Sequence, residues 1–327
     1  MTKKISALIT ITFVLSFAAR LYAQQAKIYH VGILMIGTPS TAVVQGFRTG
    51  LKEAEYVEGK NLILDLPAKA TFDELRAVAN GFKGKKLDLI VTVGGTATAI
   101  AKDTTQQIPI VFLSVNDPVQ LGLVKSLALP EANVTGLAVY ADADMQGKRL
   151  EVFKEAAPTL HRVAVFYNAR GENPGHAKNL ALVRKVAPAL GLRVAVKPIK
   201  SAADIDSSLA SLSKATTDGI FVICSNIFRD PFKKIAAAAI AKKLPLTGCD
   251  ADNVAEQGAL LSYDSDRYRL GQRGAWYVDR ILKGAKPQDL PIETPTYFEL
   301  VINLKTAKRI GLTIPPNVLA RADKVIR

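Results

Sequence analysis

Leu87-Asp88-Leu89-Ile90-Val91-Thr92-Val93-Gly94-Gly95-Thr96-Ala97-Thr98 joins a run of apolar residues to a helical stretch through two glycines. A continuous Leu/Ile/Val run of this length reads as a strand buried on both faces, and such strands are typical of parallel sheets covered by helices. The same unit recurs on either side. Strands are predicted at 31–36, 62–66, 87–93 and 110–114, with helices near 41–54, 72–82 and 96–104 between them. After an interruption at 131–145, marked by Asn133 and Gly136, the alternation starts again. Strands at 163–167, 193–198, 220–224 and 245–248 then alternate with helices near 176–190, 203–213 and 231–242. Two βαβ series predict an α/β fold of two doubly wound parallel-sheet lobes. A tail follows, with a strand at 259–263, a helix at 268–283, a strand at 299–303 and terminal helices at 305–310 and 318–325. Crossings of this tail between the lobes would make a hinge, with a cleft between them.

The length of 327 residues suits two domains of roughly 150 residues each. The first 23 residues are set aside. Lys3 and Lys4 precede an uncharged apolar run over 5–19, and Leu21-Tyr22-Ala23 precedes Gln24. This is the anatomy of a secretory leader cleaved after Ala23, and the run is short for a membrane span. The chain carries a formal charge of +14. Its bases are scattered, and the densest runs, at 83–86 and 233–234, have no interleaved aromatics, so nucleic acid is not an expected partner. Three histidines, His30, His161 and His176, lie far apart, and no cluster has metal-ligand spacing. There is no Gly-x-Ser-x-Gly elbow, dinucleotide fingerprint or P-loop. Neither a catalytic constellation nor a cofactor is expected.

Ligands of open parallel sheets bind beyond the strands' carboxyl ends. In the first half those ends carry Thr38, Thr96, Thr98, Asn116 and Asp117; in the second they carry Asn168, Asn226 and Asp250, with Asp264 closing the late strand. Gly94-Gly95-Thr96-Ala97-Thr98 would direct free backbone N–H groups and a positive helix end at a carboxylate. Asn116 and Asp117 would add hydrogen bonds, Asn168 and Asn226 would fix orientation, and Asp250 or Asp264 would accept an ammonium group. In the competing assignment Asp250 caps a helix and Asp264 pairs with Arg267. Cys224 and Cys249 end successive strands; as neighbours about 4.8 Å apart they would be within reach of a disulfide.

Several stretches resemble the ABC-transporter substrate-binding family of the tryptophan/tyrosine transport type. They are Gln45-Gly46-Phe47-Arg48-Thr49-Gly50-Leu51, Ile108-Pro109-Ile110-Val111-Phe112 leading into Asn116-Asp117-Pro118-Val119, Asn133-Val134-Thr135-Gly136, Val278-Asp279-Arg280-Ile281-Leu282-Lys283-Gly284 and Phe298-Glu299-Leu300-Val301-Ile302-Asn303. The resemblance spans almost the whole mature chain. It implies a type I periplasmic binding fold and a monomer that closes on one small, amino-acid-like, aromatic-leaning solute and hands it to a membrane permease. Three departures stand out: Glu131-Ala132 replaces a Gly pair, Asp264 a common Gly, and Ala169 a frequent Pro. The expected lobes are 24–140 with about 265–287, and 141–264 with about 288–327. An exported ligand sensor of the same fold is the alternative, followed by an α/β enzyme using the cleft.

Overall fold

A computed structural model describes residues 27–37, 41–67, 71, 74–130, 132–139, 145–171 and 175–327. The expected leader with its cleavage after Ala23, and Thr38, lie outside the described residues. The first sheet is wholly parallel. It contains β1 (Tyr29–Met35), β2 (Leu62–Asp65), β3 (Leu89–Val93), β4 (Ile110–Val115) and β5 (Val134–Ala138), in the order β2-β1-β3-β4-β5. Helices α1 (Ala42–Glu53), α2 (Leu75–Phe82) and α3 (Gly95–Thr104) connect its early strands. Alternate residues feed two cores: Ile33, Val91 and Leu113 point to one face, Leu34, Ile90 and Phe112 to the other. β5 falls inside the stretch expected to be only a join. Gly136 breaks the apolar pattern there because a Cβ would lie 2.0 Å from the Phe112 carbonyl oxygen.

The chain continues through α4 (Met145–Ala156), β6 (Arg162–Asn168), α5 (Gly175–Val186), β7 (Arg193–Ile199), α6 (Ala202–Ser211), β8 (Gly219–Val222), α7 (Phe232–Ala241), α8 (Ala251–Ala255) and β9 (Leu261–Ser265). It ends with α9 (Arg267–Leu282), β10 (Phe298–Asn303), α10 (Leu304–Ile310), α11 (Pro316–Leu319) and β11 (Lys324–Ile326). Strands β7-β6-β8 form one parallel sheet, and β11-β10-β9 form a second, mixed one. Single bridges, Ile220 to Leu246 and Thr247 to Leu261, join the two into one second-lobe layer. The strand expected at 245–248 is reduced to those bridges. β10 runs antiparallel to β9, since β9 leaves for the first lobe and β10 returns from it. The helix expected over 318–325 is instead α11 followed by β11. Asp323 breaks it: its carboxylate accepts from the Leu300 N–H at 2.7 Å and its own N–H bonds the Leu300 carbonyl, drawing the terminus onto β10.

α9 belongs to the first lobe. Its Gly271 lies where a Cβ would sit 2.0 Å from the Val43 carbonyl oxygen, and a Cβ on Gly46 of α1 would sit 1.9 Å from that of Tyr268. The two helices therefore pack backbone to backbone, which accounts for glycine in the Gln45–Leu51 stretch. Residues 287–293 stay on the same lobe, beyond the expected return at about 287. Thr135 Oγ1 donates to the Leu290 carbonyl at 2.7 Å, Tyr277 Oη to that of Pro291 at 2.6 Å, and Ile292 enters the core. The last crossing thus lies between Glu293 and Phe298. Among the described residues, no helix is long and apolar enough to cross a membrane.

Candidate functional site

The first wall of the cleft is made by the carboxyl ends of β1, β3 and β4. Gly94, at φ +88°, turns β3 into α3. That helix has no side-chain cap and no acid in its first turn, so its leading N–H groups are available to a ligand. Thr96 is half-buried at this start. Thr98 turns the other way. It is fully buried, donating to the Gly94 carbonyl at 2.9 Å and so accepting from Thr92 at 2.7 Å. This hydroxyl ties strand to helix inside the lobe and is not offered to the cleft. β4 ends in a bulge at Ser114, φ +62°, where the register with β5 shifts. Asn116 follows, half-buried. Asp117, at φ +43°, accepts from the Gln120 N–H at 3.0 Å.

The second wall carries braces. Asn168 is 3% exposed; its Nδ2 donates to Ser225 Oγ at 3.0 Å and its Oδ1 accepts from the Arg170 N–H. Cys224 and Cys249 form a disulfide, with Cα atoms 5.4 Å apart, linking the end of β8 to the turn that carries Asp250. Beneath it lies Arg149 of α4, 2% exposed, which donates to the carbonyls of Val222 and Gly248 at 3.2 and 2.9 Å and to Gln146 Oε1 at 2.8 Å. Asp250 caps α8 by accepting from the Asn253 N–H at 2.9 Å.

The walls touch. A Cβ on Gly94 would lie 3.6 Å from Asn226 Nδ2, and one on Gly37 would lie 3.2 Å from Arg229 Cδ. Lys178 Nζ reaches Asp117 Oδ2 at 3.4 Å. The Asp252 carboxylate accepts from the Ala42 N–H, at the start of α1, a helix whose own cap residue Thr41 makes no side-chain cap bond. Burial, with Asp250 and Glu256 alongside, nevertheless raises the Asp252 carboxyl above its usual range. At the hinge Asp264, 2% exposed, holds Arg267 at 2.7 Å, and Arg267 also donates to Ser114 Oγ. Asp264 and Asp250 are therefore arranged as the competing assignment has them. Burial raises Glu299, beside this hinge, to about 7.

Thr96, Asn116, Asp117, Asn226 and Asp250 thus lie at the strand ends that form the two walls, Thr98 is withdrawn, and Asn168 and Asp264 are engaged by neighbours. Arg229, Lys178 and Arg149 escaped the sequence reading, because a basic residue on a loop or helix ordinarily reads as solvated surface. Their places after β8, α5's start and the α4 face toward β8 become meaningful only once the strands are ordered. Two shallow hollows, one at Lys102 and Gln106, the other at Lys27 and Gln107, open at the strands' amino ends instead, away from this site.

The family described as ABC transporter substrate binding protein matches residues 31–326. The chain belongs to this family. A tyrosine-binding protein of Clostridioides difficile is 27% identical over 82% of this chain and 76% of its own. A solved conserved domain protein of Vibrio cholerae is 32% identical over 91% of this chain and all of that one, with TM-score 0.80. A Streptococcus pneumonia ABC domain in complex with L-Trp is 24% identical over 92% of this chain and 100% of its own, with TM-score 0.80. A ligand-free, open substrate binding protein of Clostridium difficile, 25% identical over 91% of this chain and 99% of its own, reaches 0.65. These likenesses agree with the type I periplasmic binding fold expected above.

Proposed function

We propose that this chain is the solute-capturing component of an ABC importer, a monomer that works in the periplasm after loss of its leader beyond Ala23. It binds one small amino-acid-like solute between the lobes, closes, and delivers it to a membrane permease. The observation that carries this reading is the meeting of the two strand-end walls, with Asn226, Arg229, Lys178 and Asp252 of the second lobe reaching Gly94, Gly37, Asp117 and Ala42 of the first. A hinged cleft that pairs only when shut converts ligand contact into closure by differential affinity. The tyrosine-binding relative and the L-Trp complex favour an amino acid, aromatic by that analogy.

The free start of α3 at Gly95-Thr96 suits the carboxylate, with Asn116 and Asn226 beside it, and the second oxygen of Asp250 suits the ammonium. Calorimetry with L-tryptophan and L-tyrosine tests this. Thr96→Val and Asp250→Asn should each weaken binding by about 1.5–3 kcal/mol. Small-angle scattering should show a smaller radius of gyration at saturation. Failure of both amino acids to bind the parent, or unchanged binding in both variants, overturns the amino-acid assignment.

A further inference from the structure

We propose that Arg229 reads an anionic group on the solute: a carboxylate or other oxyanion pairs with its guanidinium, and an empty cleft resists closing because that charge is left unmatched. This rests on the cleft being the ligand site and names the chemistry of one group on the ligand.

Arg229 follows the single turn Asn226–Phe228 at the end of β8, and its stem lies against Gly37 at the end of β1 in the opposite lobe. Gly37 has φ +94°, and any side chain there would meet the arginine stem. The closed arrangement therefore sets a guanidinium, with five N–H donors, where the lobes meet. It makes no hydrogen bond or ion pair with the described residues. The acids around it are engaged or turned elsewhere. Asp250 caps α8, Asp252 accepts from Ala42, and Asp264 holds Arg267. Asp230 is exposed on the following turn. Arg267 adds a like charge. Burial lowers the Arg229 pKa, Asp250 opposes that, and Arg267 reinforces it. A partly shielded cation with no protein acceptor disfavours the state that shields it, and a ligand oxyanion lowers that penalty. The same charge thus selects the solute and biases the empty receptor toward the open form.

Nitroxide labels at Val119→Cys and Lys233→Cys, exposed on opposite lobes, report closure by pulsed spin-resonance distances, the native cysteines being bonded to each other. In the ligand-free protein Arg229→Met should raise the closed fraction about fivefold, while Arg229→Lys, which keeps the charge, stays near the parent. A methionine variant no more closed than the lysine variant overturns the proposal. In a second arm, calorimetry compares L-tryptophan and L-tyrosine with their carboxamides. The parent should favour the acids by at least about tenfold, and Arg229→Met should lower that preference several-fold, the start of α3 keeping its own share. An amide that binds the parent as tightly as its acid also overturns the proposal. If neither amino acid binds the parent, the amino-acid reading fails, and the ligand-free distances still decide the role of Arg229.

Discussion

The two walls of the cleft are built by different means from nearly the same strand order. In the first lobe the strand ends are shaped mainly by backbone, with Gly37, Gly94, Ser114 and Asp117 all at positive φ. In the second the ends of β8 and its neighbour are tied by a disulfide and by the buried guanidinium of Arg149. The amino ends show no such contrast. Asp88 accepts the His30 N–H at 2.9 Å in one lobe, and Asp218 accepts those of His161 and Arg162 at 3.0 and 2.8 Å in the other. Divergence thus lies at the carboxyl edge, where the two walls touch. A backbone-shaped wall presents N–H groups and small hydroxyls in fixed directions, whereas a braced wall can carry long charged side chains such as Arg229 without losing its footing.

The sharpest break in that contrast is Arg149→Ala. It deletes a packed side chain and leaves the Val222 and Gly248 carbonyls without their donor, so the folded state should lose about 4 kcal/mol in chemical denaturation. A loss under about 1 kcal/mol would mean that the disulfide alone holds the second wall. On the first wall a single added methyl should suffice. Gly94→Ala forces a side chain into φ +88° and should cost about 1–2 kcal/mol; a neutral result would show that this turn relaxes freely.

The smallest effect sits at the hinge between the walls. The Glu299 carboxyl titrates near 7 rather than 4.5, chiefly from burial and then from Asp266. The folded state therefore holds this proton more tightly than the unfolded chain does, and stability falls as pH rises from about 4.5 to about 7. Glu299→Gln should stabilise the protein by about 1 kcal/mol at pH 8, allowing for solvent screening. At pH 4 the variant and the parent should unfold alike; equal stability at both pH values would remove Glu299 from the hinge electrostatics.

The sheets were legible because β1, β3, β4, β6 and β8 are continuous apolar runs, and that pattern needs no knowledge of neighbours. β5 was not, since Gly136 answers to the Phe112 carbonyl on the adjacent strand. The terminal strand was missed for the same reason: Asp323 acts on Leu300, far away in sequence. At the candidate site, small polar residues at strand ends pointed to the carboxyl edge of both sheets, which is the edge where the two walls touch. They could not tell Thr96, at the cleft, from Thr98, two positions on and facing inward, because helical phase separates them. For two acids the sequence left a ligand role and a local role open, and the local bonds are the ones formed. Asp250 caps a helix, and Asp264, where glycine is common, is neutralised by Arg267.

The glycine seam between α1 and α9 has a consequence for how the chain comes together. Its two halves are separated by more than two hundred positions, and the covering segment through Glu293 comes later still. The first lobe begins the sequence yet is completed only near its end, because its outer face waits for residues made after most of the second, whose own last strands follow later still. Until then the Gly46 strip of α1 has no partner, and Val43, Phe47 and Leu51 have only the sheet's share of their core, without Leu270, Ala275 and Val278 of α9. The rigidity of this lobe therefore depends on a contact between the two far ends of the first-lobe sequence, set only when α9 arrives.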